Sequence, residues 1–175
     1  MFATDLWWQL PLALASGVWL LTAYGAAATG RSLKVLVEED RPEPERWPSL
    51  SMVVAARNEV DTLAAAAGTW RELELPDLEI VLVNDRSDDG TRELVDQLAG
   101  SDPRLTAAHV EQLPDGWLGK NHALSLGASR ARGEWLLFTD ADVHMAPDLL
   151  RRAVAHAEAR GLDHLAVLPA GPGGL

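Results

Sequence analysis

Two aspartates, Asp140 and Asp142, follow shortly after the apolar run Trp135–Phe138. An apolar run this short, bounded by turn-forming and charged residues, predicts a buried β-strand. The two carboxylates would then lie at the carboxyl end of a strand, which is where open α/β sheets bind their ligands. Mg²⁺ or Mn²⁺ carrying a diphosphate would compensate their repulsion, because hard cations prefer oxygen ligands and share them with phosphates. The alternative is a strand-to-helix turn in which Asp142 helps to cap the next helix.

Two further apolar runs upstream also end in polar clusters. Leu50–Ala55 leads into Ala56–Glu59, and Leu78–Val83 leads into Asn84–Thr91. The second of these runs is rich in β-branched residues, as strands are. Because the carboxyl ends of parallel strands meet at one edge of a sheet, the three clusters should converge there. Their convergence is the argument for a functional site.

Patterns typical of helices separate these runs, so strands and helices alternate from Ser49 onward. Gly100 and Gly161 are interpreted as helix ends, since glycine readily closes a helix at its carboxyl end. The alternation predicts an α/β fold with a mostly parallel, Rossmann-like sheet and helices on both faces. The remaining predicted elements are helices at Asp61–Glu74, Thr91–Ala99, Asn121–Ala131 and from Pro147 to Gly161, with weaker strands at Leu105–Val110 and Leu165–Leu168.

The chain has 175 residues, a formal net charge of −11 and no cysteine. This length predicts one domain with an appendage. The negative charge argues against a nucleic-acid partner, because no basic stripe is available to bind phosphates. The absence of cysteine excludes disulfides and thiolate metal sites.

Residues 1–30 are predicted to form a single transmembrane anchor. Leu6–Gly30 contains no charged residue, and as a helix it would reach about 37 Å, enough to cross a hydrocarbon core of about 30 Å. Arginines and a lysine follow this segment, whereas Asp5 precedes it, so the globular domain should be cytoplasmic. A cleaved signal peptide is the alternative, but the apolar run is too long and lacks a positive start. A charged, proline-containing linker, 31–48, would join the anchor to a domain at 49–175.

Four clusters along the chain, taken together, point to a family. They are Ala55–Glu59, Val83–Thr91, Gly119–Leu124 and Thr139–Asp142. In this order and spacing they resemble the nucleotide-binding half of an inverting glycosyltransferase of family 2, which has the GT-A fold. The stretch Leu113–Lys120 is more specifically similar to membrane-associated members such as the hopanoid-associated and carotenoid glycosyltransferases. The resemblance extends from Ser49 to about Leu168.

The resemblance implies contacts to the base and ribose of a nucleotide-diphosphate sugar. The end of the first strand would make these contacts through Ala55, Arg57, Asn58 and Glu59. Asp85 would accept a hydrogen bond from the base. Because a carboxylate only accepts, it suits an imide N–H such as that of uracil.

The resemblance also implies a diphosphate and metal subsite. Lys120 would add positive charge near the diphosphate. Asp140 would lie near the ribose and a divalent cation, Mg²⁺ or Mn²⁺, and Asp142 would bind that cation, which stabilises the leaving group.

Several of these polar residues have a purely structural alternative. Glu59 suits the first turn of a helix, where acids are favoured. Asp88 and Asp89 are interpreted as turn and capping residues rather than ligands. Lys120 could be a solvated lysine at a helix start, and His144 is a weaker candidate for a third metal ligand.

The resemblance implies an enzyme that transfers sugar to a lipid or other membrane-proximal acceptor. In the family the catalytic base lies in the second half of the domain, and no matching motif follows Asp142. We therefore expect a C-terminally truncated nucleotide-sugar-binding half, with its catalytic residue unknown and no activity alone. One alternative is a non-catalytic membrane-tethered nucleotide-sugar binder or remnant. Another is a haloacid-dehalogenase-like phosphatase, because Leu136–Asp142 resembles the nucleophile strand of that class.

Overall fold

The computed structural model describes residues 43–167. The predicted anchor, Leu6–Gly30, lies outside these residues, as do the linker before residue 43 and the chain after residue 167. Residues 43–48 of the predicted linker contain neither helix nor strand. Between residues 43 and 167, no helix has the length and apolar character needed to cross a membrane.

Strands and helices alternate along the described part of the chain. The strands are rich in valine, leucine and isoleucine, and each is followed by a helix, as the sequence pattern predicts. The elements are β1 (Leu50–Ala56), α1 (Val60–Trp70), β2 (Leu78–Asp85), α2 (Thr91–Ser101), β3 (Leu105–Val110), α3 (Gly119–Arg130), β4 (Trp135–Asp140) and α4 (Leu149–Arg160).

The four strands form one sheet in the order β3-β2-β1-β4. Every pair of neighbours is parallel, with Val54 of β1 opposite Leu82 of β2 and Thr139 of β4. The predicted parallel α/β architecture is therefore confirmed. Because the strands run the same way, the ends of β1, β2 and β4 meet at one edge of the sheet.

Helices cover both faces of the sheet, as predicted. Met52 and Val54 of β1 face a core built with α1, α2 and α4. Val53 faces the other way, into a smaller core that includes Ala123 of α3. Alternate side chains of a strand point to opposite faces, so β1 contributes to both cores.

Helices α1 and α2 do not end at the residues that the sequence predicts. Helix α2 continues through Gly100 and ends at Ser101, because Asp102 is extended and precedes Pro103, which disfavours helical backbone before it. Helix α1 ends at Trp70 rather than Glu74. There the chain turns so that Leu73 and Leu75 become buried.

At the carboxyl-terminal side, Gly161 closes α4 with a left-handed φ of 60°, as predicted. The prediction of a strand at Leu165–Leu168 is wrong for Leu165–Val167, because these residues form no strand. Leu168 lies outside the described residues. Within residues 43–167 this short apolar run pairs with no strand of the sheet, and a strand is stable only when its backbone is paired.

Strand β4 is not the buried strand that its apolar composition predicts. Among residues 43–167 it lies at the edge of the sheet, and Leu136 and Phe138 are 44% and 50% exposed. Helix α3 packs over β1 and β2 instead, and leaves a shallow groove lined by Leu124, Ala128 and Phe138. Composition alone cannot show whether a neighbouring element covers a strand.

Candidate functional site

A cleft of about 410 Å³ lies where β1, β2 and β4 end and α3 begins. This is the edge of a parallel sheet at which open α/β folds bind ligands. The cleft brings together every residue predicted for the site except Asn58. Its lining consists of Ala55, Ala56, Arg57, Glu59, Asp85, Gly119, Lys120, Asp140, Ala141 and Asp142.

Asn58 joins the loops that follow β1 and β2 instead of lining the cleft. Its backbone N–H donates to Ser87 Oγ at 3.0 Å, and its Oδ1 accepts from the Asp88 N–H at 3.1 Å. Asn58 and Arg86 both have left-handed backbone, with φ of 55° and 54°. Such values are uncommon for residues other than glycine, so this geometry is maintained by the surrounding contacts.

Asp89 caps two helices, which confirms its interpretation as a capping residue. Its Oδ2 accepts from the Val60 N–H at the start of α1, at 3.2 Å. Its Oδ1 accepts from both the N–H and the hydroxyl of Thr91, at the start of α2. The Thr91 hydroxyl and these backbone donors hold the pKa of Asp89 below its usual value. One carboxylate therefore fixes both helices beside the cleft.

Glu59 precedes the first residue of α1 and lines the cleft. Its Oε2 accepts from the Thr62 hydroxyl at 2.5 Å. Its backbone N–H donates to Thr91 Oγ1 at 2.9 Å. The residue is thus both a helix-start acid and part of the cleft wall, so the two interpretations of Glu59 are compatible.

Asp85 is the last residue of β2 and is 3% exposed. Arg86 Nε donates to Asp85 Oδ1 at 2.8 Å. The Oδ2 atom lies against Gly119, where a Cβ would approach it to 2.5 Å. The first residue of α3 must therefore lack a side chain for α3 to begin this close to the carboxylate.

Lys120 reaches across the cleft to the end of β4. Its Nζ donates to Asp140 Oδ1 at 2.5 Å, and both side chains are more than half exposed. Asp142 is also exposed on the cleft wall. The diphosphate end of the predicted site thus holds one cation and two carboxylates.

Comparison with known proteins identifies the family of the chain. The sequence profile described as "Glycosyl transferase family 2" matches residues 51–171, which include the whole cleft. The chain belongs to glycosyl transferase family 2. The resemblance carried by the four motifs is confirmed, and the match favours this family over the phosphatase alternative.

Relatives and solved structures agree with this family. The succinoglycan biosynthesis protein ExoO of Rhizobium meliloti (strain 1021) is 34% identical over 69% of this chain and 33% of its own length. The 4,4'-diaponeurosporenoate glycosyltransferase of Staphylococcus haemolyticus is 27% identical over 70% of this chain and 32% of its own. The chain spans about a third of the length of these curated relatives.

Among solved structures, the mannosyltransferase PcManGT of Pyrobaculum calidifontis, in complex with GDP-Man and Mn²⁺, is 28% identical with a TM-score of 0.64. The match covers 83% of this chain and 41% of that one. The parallel four-stranded sheet is consistent with the Rossmann-like half of a GT-A fold in this glycosyl transferase family 2 domain.

The cleft offers some of the ligands that a divalent cation needs, and the phosphates of a bound substrate would supply the others. Within residues 43–167, no group of three or more His, Asp or Glu side chains is placed to hold a metal by itself. His144 therefore does not complete a cluster with Asp140 and Asp142. Two carboxylates with diphosphate oxygens nevertheless suit Mg²⁺ or Mn²⁺, which bind through one or two carboxylates plus substrate phosphates.

Some residues at the site were not singled out from the sequence. Ala141 lines the cleft between Asp140 and Asp142, and Ala56 lines it within the predicted Ala55–Glu59 stretch. Gly119 was visible only as part of a motif, and Arg86 only as part of a polar cluster. Only their positions next to Lys120 and Asp85 in the motifs could have pointed to these two residues. Their contacts with Asp85 depend on tertiary packing.

Proposed function

We propose that the cleft binds a nucleotide-diphosphate sugar, and that the chain acts in an inverting sugar transfer to a lipid or other membrane-proximal acceptor. One observation carries the proposal: Asp85, Lys120, Asp140 and Asp142, from three separate parts of the sequence, line a single cleft in a family 2 domain. Their chemistry matches the base, the diphosphate and a bridging cation.

The base would lie near the end of β2, where Asp85 offers an acceptor for a ring N–H. Arg57 and Glu59 line the adjoining wall at the end of β1, where base and ribose contacts are expected. Lys120 and the positive end of α3, whose first turn contains no acid, would face the diphosphate.

Asp140 and Asp142 would hold the divalent cation. Bound there, the cation would neutralise charge that develops on the leaving diphosphate. Lys120 pairs with Asp140, so it limits the repulsion between the two carboxylates in the absence of ligand. No residue is assigned as the catalytic base.

The acceptor is proposed to be a lipid. One support is the relative named for glycosylating 4,4'-diaponeurosporenoate, a carotenoid. Another is the apolar, charge-free segment Leu6–Gly30, which we propose anchors the chain with the domain in the cytoplasm. Protease protection in sealed vesicles of both orientations tests this. Recovery of the intact chain in a high-speed supernatant would contradict the anchor.

Nucleotide binding with and without metal tests the site. Titration calorimetry on the full chain should show that UDP or GDP binds more tightly with Mn²⁺, by about 5–150-fold, the usual range for coupling between two ligands. Asp142→Asn should abolish the metal effect. The matched control is Asp163→Asn, an exposed acid beyond the end of α4, which should keep it. Equal affinity with and without Mn²⁺ would contradict the proposal.

Transfer itself is tested with labelled nucleotide sugars and lipid extracts. If the chain transfers sugar, label should enter the lipid fraction and Asp142→Asn should greatly reduce it. Metal-dependent binding without transfer is the result expected both of a nucleotide-sugar-binding half that is inactive alone and of the non-catalytic binder.

A further inference from the structure

The Asp85–Arg86 pair has an uncommon geometry at the edge of the cleft. The two residues are adjacent in sequence, yet the Arg86 side chain folds back to donate from Nε to Asp85 Oδ1 at 2.8 Å. The left-handed backbone of Arg86, with φ of 54°, turns the chain at the end of β2 where this contact forms. An arginine at this position therefore has both an unusual backbone and a specific carboxylate contact.

The contact uses only one of the two carboxylate oxygens. Among residues 43–167, Asp85 Oδ2 accepts no hydrogen bond, and it lies against the backbone of Gly119 on the cleft wall. A carboxylate with one oxygen fixed by an arginine cannot rotate freely. Its second oxygen then stays oriented as an acceptor.

Arg86 has an unfavourable environment for a purely structural residue. Its Nη2 atom is buried without a hydrogen-bond partner. This atom is so close to Gly119 that a Cβ on Gly119 would lie only 2.8 Å from it. An unsatisfied buried donor and a left-handed non-glycine residue both cost stability. Such costs are concentrated at functional sites, and each one is a reason to look for a role there.

We propose that Arg86 is a positioning residue that holds Asp85 so that Oδ2 accepts from the ring N–H of the bound base. This rests on the proposed function, in which the base lies beside Asp85. Uracil and guanine carry a ring N–H donor, whereas cytosine and adenine present a ring acceptor at the equivalent place. Arg86 would thereby set selectivity for the first pair over the second.

The test compares nucleotides that differ in this donor. Dissociation constants of UDP, CDP, GDP and ADP are measured by calorimetry on the full chain and on Arg86→Gly and Arg86→Lys. Glycine accepts left-handed backbone and removes the guanidinium. Lysine keeps the positive charge but lacks the planar group that fixes the carboxylate. Arg92→Ala, which breaks the exposed Arg92–Glu111 pair, is the control.

The expected result is a change in selectivity rather than a general loss. Wild type should bind UDP more tightly than CDP, or GDP more tightly than ADP. Both Arg86 variants should reduce that ratio about tenfold, the scale of a charge-assisted hydrogen bond. Arg92→Ala should retain it. Because a partly unfolded sample lowers both affinities together, the ratio separates positioning from loss of folded protein.

Two results would overturn the inference. The first is a ratio unchanged in both Arg86 variants while Asp85→Asn lowers it, which leaves the proposed function intact. The second is that Arg86→Lys keeps the wild-type selectivity ratio while Arg86→Gly loses it. This would show that a positive charge, without the planar guanidinium, is sufficient to maintain the selectivity. By contrast, wild type binding none of the four nucleotides would mean that the proposed function itself fails.

Discussion

Lys120 and Asp140 join α3 to β4 across the cleft, with Nζ 2.5 Å from Oδ1. Their side chains are 59% and 57% exposed, so solvent screens the pair. An exposed pair of this kind adds little to folding stability. Its place beside Asp142, at the proposed diphosphate end of the cleft, matters more for ligand binding.

Lys120→Gln should therefore separate stability from binding. We expect the free energy of unfolding to change by less than about 1 kcal/mol. We expect affinity for a nucleoside diphosphate to fall about tenfold, because a charged donor to the phosphates is lost. Thermal melts and calorimetry measure the two effects. Arg130→Gln, at the opposite end of α3, is the control, and an equal loss of affinity there would refute the site assignment.

Asp89→Ala should destabilise the domain by releasing the starts of both α1 and α2. We expect the thermal midpoint to fall by at least about 2–4 °C, the change typical of losing one cap in a chain of this size. The neighbouring acid Asp88 offers a matched control, since it is exposed like Asp89 but makes its hydrogen bond to Asn58 through the backbone N–H. If Asp88→Ala lowers the midpoint as much, the double cap is not the reason.

The same carboxylate should contribute to acid sensitivity. The folded state lowers the pKa of Asp89, so its contribution to stability is complete above the ordinary value of about 3.9. That contribution is lost as the pH falls through the lowered folded-state value. As the pH falls below about 4, Asp89→Asn should lose less stability than wild type. Parallel curves for the two proteins would argue against this linkage.

Gly119→Ala should impair both folding and binding. Its Cβ would lie 2.5 Å from Asp85 Oδ2, so α3 or the carboxylate must shift, at about 1–3 kcal/mol. Gly127→Ala is a matched control within α3, because its Cβ would lie 2.4 Å from Val53 in the core. Both variants should lower the free energy of unfolding, but only Gly119→Ala should weaken nucleotide binding by the folded protein.

Gly100→Ala should stabilise the protein. Gly100 lies within α2, and a Cβ there would meet no atom within 4 Å. Replacing a helical glycine by alanine in open space gains about 0.5–1 kcal/mol. Chemical denaturation measures the change. A loss of stability would show that this position needs the freedom of glycine, as the sequence analysis expected of a helix end.

Sequence periodicity was sufficient to predict the alternation of strands and helices, including β3 at Leu105–Val110 without error. Helix ends were predicted less well because they depend on distant contacts. The early end of α1 follows from Leu73 and Leu75 turning into the core. Helix α2 continues through Gly100, so a glycine in the sequence is compatible with a helix end but does not by itself terminate the helix.

By itself the sequence determined the parallel α/β fold, the family and most of the residues that line the cleft. It could do so because strand ends with polar clusters must converge in a parallel sheet. Only the tertiary structure showed that β4 is an exposed edge strand, that Asn58 joins two loops, and that Arg86 and Gly119 flank Asp85. These relationships join residues from separate elements, and local pattern carries no information about which side chains finally meet.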